Sequence, residues 1–595
     1  MQLVALDFET FYSDEFTLRK LNSEAYIRDA RFHIHCAGIK SNDYRGYYDG
    51  VSFTAGYAKT LETAAVVCHH AHFDGLILAH HCGVKPALWI DTLSMARLLH
   101  PDLKSLSLES LAAHYGLTPK TVPYDLFKGK RALDTGTMRL LGEGAAHDAE
   151  LTYAIAKAML KVFPREELPV IDQTIRMFTE PAFRLDAPRL SKYLSEYRVG
   201  KKNILDSAGI PAEALRSNDK FAEVLRDQGI DPPKKTSPRT GRETYAFAKT
   251  DDGMKELVGS ENPVVATLAA ARLGEKSTII ETRSERFLDT ATRGAIPVYL
   301  YYYGAHTGRF ASGDKMGMQN LPRGSELRKS LTAPDGFKIA VGDCSQIECR
   351  LLNYEAGERW VLDAFAEGRD LYSETASRFY GRKVTRSDKS ERHLGKAITL
   401  ACGFQMGANK FRLTCRGGAL GGPPIILSEA EAAEAVGLYR QTHPNVVNYW
   451  KRAKQVIVDL YMGTSDYQWG SFRVKGRRVY LPNGAWVSYE TISRDADGFF
   501  LTGKRGKVSL YEGKLVENII QALARVVMTQ AMLRIAARYK VLTTTHDEIV
   551  CLVPEAEADV ALAFILGELK RQPVWATAGE LPLDADGGVA REYSK

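Results

Sequence analysis

The sequence predicts a multidomain α/β protein, and three observations carry that reading. At roughly 150 residues per unit, a chain of 595 residues is too long for one hydrophobic core and divides into about four structural units. Strand-length and helix-length apolar patterns alternate through the first 160 residues, as an α/β layer requires. Strand-like runs then return at 338–343, 479–488 and 541–553 after a long helical stretch.

In order along the chain, LVALDF, HIHCAGI and AAVVCHH are β-branched or apolar runs of strand length, while 105–116 and 148–162 carry apolar residues at helical spacing. A break is expected at Pro164 and Pro169. Residues 170–290 read as amphipathic helix, interrupted by DPPKKTSPRTGRE (231–243), whose composition suits a mobile loop or hinge. Long helices are expected from 370 to 460, with RGGALGGPP (416–424) as a surface loop between two of them. The division this implies is 1–162 and 163–595.

Composition narrows the class. With 45% hydrophobic and 25% charged residues the chain is neither disordered, collagen-like nor a membrane bundle. No run of about 18 uncharged apolar residues is present, so no membrane span is expected. The start, MQLVALDFET, has Asp7 and Glu9 where a secretory signal would place a basic stretch and an apolar run, so an intracellular, cytoplasmic chain is expected. Eight cysteines without a CxxC pair read as reduced, mostly buried thiols. The net charge of +7 is uneven: the first 160 residues hold 16 basic against 18 acidic residues, and the remainder 63 against 54. That excess favours a polyanionic partner for the C-terminal part.

Phosphoryl transfer uses two hard cations held by carboxylates that reach one point from separate chain segments. KIAVGDCSQIECRLL offers one such segment, an apolar strand delivering Asp343 and then a helix carrying Glu348. VLTTTHDEIVCLVP offers the other, with Asp547 and Glu548 at the centre of a β-hairpin pattern. Between them Arg392, Lys396, Leu400 and Phe404 recur every four residues, so a helix aligns two cations and two apolar groups along one face. Such a stripe can grip a triphosphate and then a base.

These segments resemble the motifs of family A DNA polymerases. DCSQIECR resembles motif A, RHLGKAITLACGFQMG motif B and THDEIV motif C. HTGRFASGDKMGMQNLPR and YRQTHPNVVNYW match two further family segments, so five motifs in family order cover roughly 300–553. The resemblance implies a right-hand polymerase domain with a thumb at about 185–290, a palm at about 295–365 and 515–595, and fingers at about 366–514. Asp343 and Asp547, with Glu548 beside them, would be the catalytic acids binding two Mg²⁺. Arg392, Lys396, Leu400, Phe404, Gln346 and Glu348 would bind the nucleotide, Glu348 by blocking the ribose 2′ position. Arg309, Gln521, His546 and Asn320 would contact DNA, the first two in the minor groove at the primer end. Two departures stand out: Leu400 replaces the family's Phe or Tyr, and Gln405 its glycine. Leucine lacks the tyrosine hydroxyl that tolerates a missing sugar hydroxyl, so discrimination against dideoxynucleotides is expected.

At the N-terminus, LDFET places Asp7 and Glu9 two apart on one strand face, HHAHFDG supplies Asp74 and AAHDAELTY supplies Asp148. Four acids in this order resemble the DEDD 3′→5′ exonucleases, which implies an RNase H-like fold and a two-metal site, with Mn²⁺ able to substitute for Mg²⁺. That family places a water-orienting Tyr four residues before the last Asp, or a His five before it. Here those positions hold Gly144 and Glu143, and His147 is turned away from Asp148 on a helix.

The expected function is therefore template-directed DNA synthesis on a primer-template with dNTPs, with a 3′→5′ proofreading exonuclease. The expected layout is Klenow-like without a 5′ nuclease, as the resemblance implies for bacteriophage replication enzymes. A monomer is expected, with a processivity factor or other replisome proteins as further partners. Two rival readings are a single-subunit RNA polymerase, opposed by Glu348 and the exonuclease-like acids, and a polymerase whose exonuclease domain is inactive and structural.

Overall fold

A computed structural model of the chain describes residues 1–118, 122–237, 241–418, 422–503 and 506–594. Residues 238–240 of the expected hinge and 419–421 of the expected Gly-rich loop lie outside the described residues.

The N-terminal unit is a five-stranded mixed sheet. Strand β1 (Leu3–Thr10) pairs antiparallel with β2 (Ile34–Lys40), which pairs antiparallel with β3 (Arg45–Asp49). On its other side β1 runs parallel to β4 (Ala65–Cys68), and β4 to β5 (Leu88–Asp91), giving the order β3-β2-β1-β4-β5. Along β1 the side chains of Val4, Leu6 and Phe8 are buried on one face, which leaves Asp7 and Glu9 together on the other. Helix α1 (Ala71–Cys82) carries Asp74, and the 25-residue helix α2 (Thr135–Met159) carries Asp148. Sequence periodicity placed the start of α2 at 148; it begins thirteen residues earlier, capped by the Asp134 side chain on the Thr137 N–H at 2.9 Å. Its first half contains Gly136, Gly142 and Gly144, which lower intrinsic helix propensity, and at Gly142 the missing side chain makes room for the Tyr47 ring of β3. At Gly38 of β2 a Cβ would lie 2.1 Å from the Ala145 carbonyl oxygen. The bare backbone there lets α2 ride low over the sheet and brings Asp148, one turn on from Ala145, down toward Asp7 and Glu9.

The break at Pro164 and Pro169 is a 3₁₀ turn (Arg165–Glu167) followed by the helix Leu168–Thr179, with Pro169 in its first turn. A helical region follows, from Ala187–Ala208 to Ile279–Ala291. It contains a separate apolar cluster built on Leu215, Phe221, Leu225, Met254 and Leu268. Within the stretch expected to be a loop, Lys234–Thr236 and Glu243–Tyr245 pair as a short antiparallel hairpin.

A second sheet forms the centre of the C-terminal unit. It comprises β6 (Phe337–Cys344), β7 (Lys540–Thr545), β8 (Glu548–Pro554) and β9 (Ala585–Ala590), all antiparallel in the order β7-β8-β6-β9. After β6 the chain enters helix α3 (Ile347–Ala356); further on come α4 (Lys389–Cys402) and α5 (Pro444–Met462). Two small antiparallel sheets fill 466–510. Helices α6 (Glu512–Ala536) and α7 (Ala558–Lys570) pack against the central sheet. Helix α6 is long and apolar enough by length and composition to cross a membrane, but 72% of its most apolar window is buried inside the fold, as in a core helix. The two units share one continuous apolar core that runs from Val4 to Tyr593. All eight cysteines are unpaired thiols.

Candidate active sites

The central sheet brings Asp343 and Asp547 together. Asp343 lies near the end of β6, opposite Glu548 of β8, and Asp547 occupies the turn between β7 and β8. The Cys344 N–H donates to the Asp547 carbonyl at 2.7 Å, tying the turn to the end of β6. His546 takes a left-handed conformation (φ 45°) in that turn. One guanidinium nitrogen of Arg323 lies 2.5 Å from Asp343 Oδ2 and 3.9 Å from Asp547 Oδ1. Burial and the neighbouring Asp343 charge push the Asp547 carboxyl up to about 6. Two crowded oxygen-donor groups drawn to one cationic group are a donor set that fits hard divalent ions.

Beside these acids is a cavity of about 370 Å³, lined among others by Arg309, Gln346, Glu348, Leu400, Phe404, His546 and Asp547. Six of the sequence-derived residues meet Asp547 there from four separate stretches of chain. Leu400 comes from α4, but that helix ends at Cys402, so Phe404 enters from the following turn and not from the continuous helical stripe expected. The next residue, Gln405, is left-handed (φ 64°), a conformation that favours glycine. Its side-chain carbonyl accepts the Gly513 N–H at 2.9 Å, an interaction glycine could not make. Gln346 is also left-handed (φ 54°), and its side-chain oxygen is buried without a hydrogen-bond partner. Arg309 donates to Glu348 across the cavity wall.

Other expected residues are placed differently. Arg392 forms a two-pronged pair with Asp370 at 2.6 and 3.1 Å, whereas burial and the nearby Arg323 and Arg392 charges lower the Lys396 pKa. Gln521 lines a different cavity of about 390 Å³ with His306, Lys514 and Asn518. Asn320 is exposed on a 3₁₀ turn, its carbonyl bound by Arg283 at 2.8 Å. The clearest correction concerns Glu548: its carboxylate is buried, accepts two hydrogen bonds from Arg328 at 2.9 and 2.7 Å, and is hydrogen-bonded by Tyr593. Adjacent residues on a strand face opposite ways, so Asp547 and Glu548 part at the strand start. Arg323, Arg328, Asp370 and Tyr593 escaped the sequence reading; only Arg323, within the QNLPR segment, had a motif to point to it.

In the N-terminal unit Asp7, Glu9 and Asp148 each offer an oxygen within 4.8 Å of the others, a spacing that fits a shared cation. Asp74 stands behind this trio: its carboxylate accepts the Phe8 N–H at 3.0 Å, and burial pushes its pKa up to about 8. It braces the strand between the two ligands. Glu143 faces outward in an ion pair with Arg45, and His147 Nε2 lies 3.3 Å from the Thr118 carbonyl. A residue not singled out from sequence, Tyr124, donates its hydroxyl to Glu9 Oε1 at 2.8 Å.

Comparison with known proteins agrees with this architecture. A family described as DNA polymerase family A matches residues 189–595, and one described as 3′-5′ exonuclease matches residues 1–164. A DNA polymerase of Bacillus phage SP02 is 31% identical over 295 residues, covering 45% of this chain and 43% of its own length. The thermostable DNA polymerase I of Thermus filiformis is 26% identical over 542 residues, covering 87% of this chain and 56% of its own. The chain thus spans about half the length of the curated relatives it matches. A solved structure, the POL domain of Pol1 from M. smegmatis in complex with DNA primer-template and dNTP, superposes with a TM-score of 0.71 at 20% identity, covering 99% of this chain and 95% of that one. The chain belongs to DNA polymerase family A and carries a 3′-5′ exonuclease domain ahead of a Pol I-like polymerase domain.

Proposed function

We propose that the chain copies a DNA template by adding dNTPs to a primer 3′ end, trims mispaired ends with its N-terminal domain, and serves bacteriophage replication in the host cytoplasm. The observation that carries the reading is the juxtaposition of Asp343 and Asp547 beside a cavity lined by Glu348, Leu400 and Phe404. The phage SP02 match supports the viral setting, and the primer-template and dNTP of the M. smegmatis complex support the substrates. It acts as a monomer, and any processivity factor is a separate partner.

In this reading Asp343 and Asp547 would hold two Mg²⁺, which would supply Lewis-acid neutralisation of phosphate charge. Lys396 and Arg392 grip the triphosphate, with Arg392 exchanging Asp370 for phosphate oxygens. Arg323, 61% exposed at its side chain, swings from the acids onto a phosphate. Phe404 and Leu400 cover the base and sugar, and Glu348, held by Arg309, leaves no room for a ribose 2′-hydroxyl. His546 meets the primer terminus, and Arg309, Gln521 and Asn320 contact DNA. Asp7, Glu9 and Asp148, with Asp74 bracing the strand, would hold the exonuclease cations.

Primer extension and end-trimming with the wild type, Asp547→Ala and Asp7→Ala test both sites. Asp547→Ala should abolish extension alone and Asp7→Ala trimming alone. Normal extension by Asp547→Ala would remove the polymerase assignment.

A further inference from the structure

Resting on the reading above that Phe404 covers the incoming base, we propose that Gln405 is a positioning residue for nucleotide binding. By bonding the start of α6 it fixes the Phe404 ring before a dNTP arrives. Phe404 lies in the turn that follows α4 and lines the cavity beside Asp547. A residue past the last turn of a helix is no longer held by the helical ladder, so the ring's placement depends on what anchors the turn on either side.

Both sides are anchored. Before Phe404, the Gly403 carbonyl accepts the indole N–H of buried Trp450, from α5, at 3.2 Å. After it, the Gln405 N–H donates to the Cys402 carbonyl at 3.2 Å, closing the turn, and the Gln405 side chain reaches α6. There the Gly513 N–H sits in the first helical turn, which offers it no intrahelical acceptor, and the N-cap residue Tyr511 supplies no side-chain cap. The Gln405 amide oxygen accepts that N–H at 2.9 Å. Since a backbone N–H only donates, the oxygen must face it, and the bond caps α6 from a distant segment. A Cβ at Gly513 would lie 2.3 Å from the Phe404 carbonyl oxygen and 2.6 Å from Gln405 Cβ, so glycine at 513 lets the turn seat directly on the helix.

Strain and bond are separable at this position. Gln405 has φ 64°, a region where a Cβ crowds the backbone and glycine does not. Glycine would relax the backbone and lose the bond to α6; glutamine carries the strain and keeps the bond. A ring anchored on both sides needs little further ordering when a base packs against it, so the bond is expressed as dNTP affinity.

The test compares wild type, Gln405→Gly, Gln405→Met and Phe404→Ala as full chains. Methionine keeps the side-chain length and the backbone strain without the acceptor; glycine removes strain and acceptor together. Rapid-quench extension by one nucleotide gives the dNTP dissociation constant and the maximal rate. Fluorescence anisotropy gives primer-template affinity, and thermal circular dichroism gives stability. The expected result is dNTP binding weakened about fivefold in both Gln405 variants, the worth of one hydrogen bond, with the maximal rate within about twofold and primer-template affinity unchanged. Stability should fall in Gln405→Met and stay near wild type in Gln405→Gly, where the relaxed backbone offsets the lost bond. Wild-type dNTP affinity in Gln405→Gly overturns the proposal, as does a dNTP affinity that tracks stability across the two variants. Equal losses of dNTP and primer-template affinity also overturn it, because the contact would then serve the folding of the cleft and not Phe404. In each of these cases weakened dNTP binding by Phe404→Ala leaves the nucleotide reading standing. Wild-type binding by Phe404→Ala removes that reading and this proposal with it.

Discussion

Replacing Glu548 by glutamine separates two roles that the HDE tripeptide leaves mixed. Arg328 and Glu548 side chains are 4% and 2% exposed, and their two hydrogen bonds of 2.9 and 2.7 Å are joined by one from Tyr593. The Arg328 guanidinium also lies 3.8 Å over the Tyr593 ring. An exposed pair would contribute at most about 1 kcal/mol. Here Glu548→Gln leaves a guanidinium buried without its counter-charge, a loss of about 3–5 kcal/mol, large against a typical folding stability of about 5–15 kcal/mol. Urea denaturation followed by circular dichroism should show a clearly lower midpoint. Primer extension measured well below that midpoint should stay within about tenfold of wild type, since the carboxylate is already saturated by partners. The uncharged pair Arg328→Met with Glu548→Leu should recover most of the loss, because it removes both buried charges together. An unchanged midpoint with abolished extension would refute this account and make Glu548 a reaction-centre ligand.

Leu400→Tyr should raise dideoxynucleotide incorporation relative to dNTP by about tenfold, the worth of one added hydrogen bond; unchanged ratios in competitive primer extension would count against Leu400 lining the sugar site. Stability should fall with acid through buried histidines such as His443, whose pKa burial lowers to about 4. The folded form keeps that ring neutral while the unfolded chain protonates it near 6.5, so its contribution is complete above pH 6.5 and is lost as pH drops toward 4. His443→Phe should therefore flatten the stability slope by about 1.4 kcal/mol per pH unit in that window, read from urea midpoints at several pH values; identical slopes would show that His443 does not titrate on unfolding.

Much of the molecule was legible in one dimension because its determinants are local. Alternating apolar residues in LVALDFET and KIAVGDC set strand faces, and helical spacing set the stripe from Arg392 to Leu400. The motif residues around Asp343 and Asp547 resembled the family that residues 189–595 match, and those around Asp7 the exonuclease that residues 1–164 match. Helix α2 was misjudged at its start, because its glycines read as weak helix former, whereas Gly142 makes room for the Tyr47 ring of β3 and Gly144 for Val122.

By itself, then, the order of residues marked the candidate acids and the strands and helices around them, since these depend on side-chain type and on periods of two or 3.6 along the chain, while its motifs resembled the families that the two domains match. Tertiary structure alone decided that Glu548 turns into a buried pair with Arg328, that Arg392 rests on Asp370, and that Tyr124 meets Glu9 across 115 positions. Those outcomes follow from which segments pack together and from the requirement that buried charge find a partner, and neither is written in local spacing.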